Sequence, residues 1–152
     1  MNRIVQQFEK QFELLKEKRK KGWTKIYVAV DLHETVVLPT WTTGLSTTFY
    51  EHAEVVLRLL TEDPEVCLIM WSCSLPEVNR EYSEFFRGKG INFDYINENP
   101  ECGSTPYADF ESKLYFSVGI DDKFGFVPEE DWLEIRELFR DRQLQRYKNK
   151  YV

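Results

Sequence analysis

The sequence predicts an α/β fold: a doubly wound, mainly parallel sheet with helices on both faces. Three observations carry that expectation. Residues 26–30 and 66–71 are almost wholly apolar, as suits strands buried on both faces of a parallel sheet. Strand patterns alternate with helical ones along the chain. Two strands end in aspartate, 26–30 running into Asp31 and 115–120 into Asp121 and Asp122, and open α/β sheets bind ligands at such carboxyl ends.

Each element has its own signal. Ile4, Phe8, Phe12 and Leu15 recur at helical spacing among charged neighbours, predicting an amphipathic helix within 1–22 that stops near Gly22. The first strand covers 25–30. A Thr-rich, irregular stretch over 36–48, with Pro39 and Gly44, reads as a flap over the site. Tyr50, Val55, Val56, Leu59 and Leu60 mark a second helix, and Glu62, Asp63 and Pro64 turn the chain into a strand over 66–71. Pro76 opens a third helix, closed by Gly88 and Gly90, with Val78, Tyr82, Phe85 and Phe86 on its core face. Residues 93–96 read as a third strand. A loop through Pro100, Gly103 and Pro106 reaches Lys113 and the fourth strand, 115–120. Pro128 and its acidic followers open a last helix over 128–149, with Trp132, Ile135, Leu138 and Phe139 on one side. With neither an internal repeat nor a dividing linker, 1–152 reads as a single domain whose motif-bearing core is 25–122.

Composition narrows the function classes. The chain of 152 residues is rich in aromatic side chains and can bury one sizeable core. A net charge of −6, spread without an acidic tail, argues against a broad non-specific nucleic-acid surface. Cys67, Cys73 and Cys102 form no Cys-x-x-Cys pair, and no signal-peptide pattern precedes the first helix, so a reduced, cytoplasmic protein is expected. No apolar stretch approaches the ~20 residues needed to cross a bilayer, and no membrane partner is expected.

Asp31 alone reads as a turn residue or helix cap. Ser72 alone reads as a cap for the helix at Pro76, a place Ser74 suits better, and Lys113 alone as a solvated lysine. Asp121 and Asp122 are more informative, because adjacent carboxylates repel and a hard cation such as Mg²⁺ most readily offsets that cost. In chain order come Asp31-x-His33-x-Thr35 after the first strand, Ser72 after the second, Lys113 before the fourth, and Asp121 and Asp122 at its end. That order resembles the haloacid dehalogenase (HAD) superfamily. The stretches 68–73 and 90–100, with Ile120-Asp121-Asp122, are similar to a capless bacterial and phage branch of it.

The resemblance implies roles. Asp31 would be the nucleophile that forms an aspartyl-phosphate. Ser72 and Lys113 would bind and neutralise the transferring phosphoryl group, with Thr35 also on the substrate side. Mg²⁺ would be held by Asp31, Asp121, Asp122 and the backbone carbonyl of His33. His33 departs from the pattern, since HAD phosphatases usually place a second aspartate there as general acid and base. Imidazole, with an unperturbed pKa of about 6.5, can exchange protons near neutrality, and loss of site activity is the alternative reading.

Neither interval that holds a cap domain in the superfamily has room for one here. An open site implies a nucleotide, a nucleic-acid end, a small phosphorylated molecule, or closure by another subunit of a homo-oligomer. Trp41, Trp71 and Tyr107 are candidates for an aromatic wall, and Lys123 for a phosphate contact. His52 reads as a surface or half-buried histidine without an evident partner. The leading expectation is a Mg²⁺-dependent phosphohydrolase. Its rivals are a catalytically impaired phosphate- or metal-binding protein and an oligomeric partner protein using the terminal helices.

Overall fold

In the computed structural model, which describes residues 2–40 and 44–151, four strands pair in parallel in the order β3-β2-β1-β4. They are β1 (Ile26–Val30), β2 (Val66–Met70), β3 (Tyr95–Ile96) and β4 (Val118–Ile120). Four helices accompany them: α1 (Arg3–Lys18), α2 (Ala53–Glu62), α3 (Pro76–Gly88) and α4 (Pro128–Tyr151). The parallel α/β class is as predicted. From β1 the chain steps outward through α2 to β2 and through α3 to β3. It then returns to lay β4 on the other side of β1. The direction of winding therefore reverses between β1 and β4, which opens a crevice at their carboxyl ends.

Alternation along the strands sorts the core. Ile26, Val28, Val30, Val66, Leu68 and Met70 pack with side chains from every helix, among them Phe8, Leu57, Phe86 and Trp132. Tyr27, Cys67 and Ile69 face the other way and meet Cys102, Trp23, Leu114 and Tyr115. The prediction of helices on both faces is corrected accordingly. The second face is covered by irregular chain, because residues 97–117 carry Pro100, Gly103 and Pro106 and lack a helical apolar stripe.

β1 and β2 each fall one residue short of prediction, and β3 and β4 are shortened further, for one shared reason. Asp94 Oδ2 accepts the Leu68 N–H at 2.9 Å, and Ser117 Oγ accepts the Tyr27 N–H at 3.0 Å. In each case a side chain takes a bond that a ladder would give to a carbonyl, so β3 starts at Tyr95 and β4 at Val118. Tyr50, predicted within the second helix, instead precedes α2, and its N–H bonds Val36 O at the base of the 36–48 stretch. That base is pinned by Leu38 N–H to Thr48 O at 2.9 Å and by a Val37–Phe49 bridge. Trp41 lies outside the described residues.

The C-terminal half of α4 is fastened by charge. Asp63, whose side chain is fully buried, accepts from Arg142 Nε at 2.9 Å and Arg146 Nη1 at 3.0 Å. Removing Asp63 takes this partner from Arg146, while Arg142 keeps Glu65 Oε1 at 3.0 Å and both arginines retain contact with water. Asp63→Ala is therefore expected to cost about 1–3 kcal/mol, read as a lowered midpoint in urea.

Candidate functional site

Asp31 leaves β1 with its N–H bonded to Ile120 O at 2.9 Å, which ties the ends of β1 and β4 together. The chain then turns sharply. Leu32 O accepts from Val36 N at 2.8 Å and Val37 N at 3.0 Å, and Glu34 adopts a left-handed φ of 62°. This turn swings the fully buried Thr35 back toward Asp31. Thr35 Oγ1 lies 2.9 Å from Asp31 Oδ2 and 3.1 Å from Asp122 Oδ1, and it accepts the Asp122 N–H at 3.1 Å. The Thr35 carbonyl in turn accepts the Trp132 Nε1–H at 2.7 Å, so α4 holds the turn from behind.

On β4, Asp121 Oδ1 accepts the Lys123 N–H at 2.9 Å and starts a 3₁₀ turn over Asp122–Phe124. Asp31, Asp121 and Asp122 thereby bring one carboxylate oxygen each to within 4.8 Å of one another. Thr35 owns a single hydroxyl hydrogen and can donate to only one of its two carboxylates at a time. Burial pushes Asp31 up to about 6, the Thr35 hydrogen bond opposes this, and neighbouring Asp121 and Asp122 add to it. The donors are all hard oxygens gathered at one point, a set that suits a hard divalent cation.

The sign of the pH dependence follows. A carboxyl that holds its proton more tightly in the fold contributes stability below its unfolded pKa and loses it as pH rises through the folded one. Between about pH 4 and 6 the metal-free protein should lose roughly 1–2 kcal/mol through Asp31, after allowance for solvent screening. The measurement is the difference in unfolding free energy between native protein and Asp31→Asn across that window. A difference independent of pH would contradict the assignment.

Other predicted residues divide. Ser72 lines a cleft of about 510 Å³ together with Asp31, Asp121, Lys123, Trp71 and Phe124. Its Oγ accepts the Ser74 N–H at 3.1 Å, so neither serine caps α3, which begins after Leu75 without a side-chain cap. Lys113 is exposed and lines the neighbouring pocket with Asp121, outside the cleft that holds Asp31. Lys123 occupies the Asp31 cleft instead. Thr35 sits behind the carboxylates, away from the substrate space assigned to it from the sequence. Tyr107 is almost fully exposed and lines neither space.

His33 Nε2 is 2.9 Å from the buried Tyr82 hydroxyl, which also accepts the Ser46 N–H at 2.9 Å. All three groups are satisfied when Tyr82 donates to Nε2, leaving the proton of the neutral ring on Nδ1. His52 does have a partner, Arg136 Nη1 at 3.0 Å from its Nδ1.

Two positioning residues were not foreseen. Asn97, at a left-handed φ of 53°, accepts from Ser72 N at 2.8 Å and donates to Ser72 O at 2.6 Å. An Asn directly after a strand was the available signal, since Asn tolerates that conformation. Trp132 was predicted only as core, because nothing local marks an indole N–H as an anchor.

No family model and no curated protein matches the chain. Among solved structures, the conserved protein coded by a locus from Bacteroides thetaiotaomicron is similar, with a TM-score of 0.59 and 26% identity. The match covers 78% of this chain and 92% of that one. Among the described residues, no helix is long and apolar enough to cross a membrane. The chain is thus a parallel α/β protein, similar in fold to that conserved protein, with three carboxylates at the reversal point of its sheet.

Proposed function

We propose that this protein is a HAD-type, Mg²⁺-dependent phosphohydrolase working through an aspartyl-phosphate on Asp31. The observation that carries the reading is the convergence of Asp31, Asp121 and Asp122 within 4.8 Å at the ends of β1 and β4. Asp31, Asp121 and Asp122 would hold the cation, which when bound offsets negative charge where an anionic nucleophile meets an anionic substrate. Asp31 attacks phosphorus, the ester bond breaks, and water then cleaves the acyl phosphate to regenerate the carboxylate. Ser72 and Lys123, which both line the Asp31 cleft, would contact phosphoryl oxygens. Lys113 lines the adjoining pocket.

His33 would pass a proton to the leaving oxygen, a role worth roughly 10²–10⁴-fold. Its bond to Tyr82 favours a second reading, in which the histidine is held as structure and the protein binds phosphate or cation with little turnover. Phosphate release from nucleotides, phosphorylated oligonucleotides, sugar phosphates and an aryl phosphate, with and without Mg²⁺, separates the two. Turnover that needs the cation supports the hydrolase. Its absence throughout, with cation binding retained, supports the second reading.

Cation binding should also restore the stability that Asp31 loses above pH 6. At 100 times the dissociation constant it supplies about 2.7 kcal/mol. The rise in melting temperature on adding Mg²⁺ is expected to be larger at pH 7.5 than at pH 5, where Asp31 keeps its proton.

A further inference from the structure

Ala29 of β1 and Gly119 of β4 are register partners on the sheet face that carries no helix. Neighbouring positions on that face hold Tyr27, Cys67 and Ile69. Over Gly119 the Phe116 ring takes the place of a side chain, and beside it the short side chain of Ala29 floors a pocket. This pocket is about 230 Å³, walled by Leu114, Phe116, Trp71 and Phe124, with Lys113 and Asp121 as its charged edge. Phe116 lies close over the glycine: a Cβ at 119 would stand 3.1 Å from its ring.

Apolar walls and this volume suit a ring, since a cavity of roughly 150 Å³ already takes benzene. Trp71, Asp121 and Phe124 also line the cleft of Asp31 and Ser72, so the two spaces adjoin around Asp121. At the junction Phe124 is 73% exposed and Trp71 39% exposed, offering ring faces to a flat occupant. A ring with polar atoms would have to turn them toward Lys113, because burying them against the walls without hydrogen bonds is costly.

We propose that this pocket is a binding subsite for the aromatic group of a phosphate monoester whose phosphate lies at Asp31. The proposal rests on the phosphohydrolase reading and adds a substrate class to it.

The test compares binding of phenylphosphonate and methylphosphonate to the full chain with Mg²⁺, by calorimetry. Phenylphosphonate is expected to bind at least about tenfold more tightly. That ratio should fall to within about threefold in Ala29→Leu, which fills the pocket, and should fall also in Phe124→Ala. If Ala29→Leu does not fold, the exposed Phe124→Ala decides alone. Equal binding of both probes to the native protein overturns the subsite and leaves the phosphohydrolase reading standing. A native preference that survives both variants places the ring elsewhere and also overturns it. Failure of both probes to bind overturns the phosphate site and the subsite together. The kcat/KM ratio of adenosine 5′-monophosphate to ribose 5-phosphate tells which ring is served. A tenfold ratio assigns a nucleobase, and a preference confined to the phenyl pair assigns a simple aryl group.

Discussion

Asp31→Asn is expected to reduce Mg²⁺-dependent phosphate release by at least about 10³-fold while making the metal-free protein more stable above pH 6. The two effects share one cause. The Asp31 carboxylate faces Asp121 and Asp122 in a half-buried crevice, and burial with those neighbours lifts it to about 6. As an anion it is the proposed nucleophile, and as an anion it is held at a cost. The amide keeps the shape and can still hydrogen-bond Thr35, but it cannot form an acyl phosphate. Single-turnover phosphate release paired with chemical unfolding at pH 7.5 reads both. Loss of activity with loss of stability would instead indicate a merely structural aspartate. Retained activity would remove Asp31 as nucleophile.

Trp132 is expected to give the largest stability effect. It is fully buried, stacks edge-on against Phe126 with centroids 4.9 Å apart, and donates to the Thr35 carbonyl. Trp132→Ala should cost about 3–5 kcal/mol from the cavity alone, a large part of the roughly 5–15 kcal/mol that holds a domain folded. That corresponds to a melting point lower by roughly 10 °C. Trp132→Phe isolates the hydrogen bond. It retains most of the apolar contact but leaves a buried carbonyl unpaired, at about 1–3 kcal/mol. Because that carbonyl belongs to Thr35, which contacts Asp31 and Asp122, Trp132→Phe should also weaken Mg²⁺ binding. Calorimetric titration checks this. Unchanged cation affinity in Trp132→Phe would show that the turn keeps its shape without the indole hydrogen bond.

The carboxyl-terminal aspartates of β1 and β4 were legible because apolar runs ending in carboxylate are local signals. So were the four helices, whose apolar spacing follows the 3.6-residue period. Strand lengths were less so: Asp94 and Ser117 sit in runs that read as strand, and only the neighbouring strand reveals that their side chains take ladder positions. The surroundings of Lys113 were not legible for a similar reason. Order along the chain puts it before β4, but the irregular segment that carries it lies over the second face and ends at the adjoining pocket, whereas Lys123, within the 3₁₀ turn, lines the cleft.

The sequence by itself determined the strand and helix types, the parallel character of the sheet and the carboxylates that converge, since each depends on periodicity or on residue chemistry at a strand end. Only the tertiary structure decided that all four helices contribute to one core, that Tyr82 holds His33, that Asn97 clamps Ser72, and that Ala29 pairs with Gly119 at the floor of a pocket. Those contacts join residues far apart in sequence, as Phe8 of α1 meets Phe139 of α4. They are fixed by strand order and packing, which no local pattern encodes.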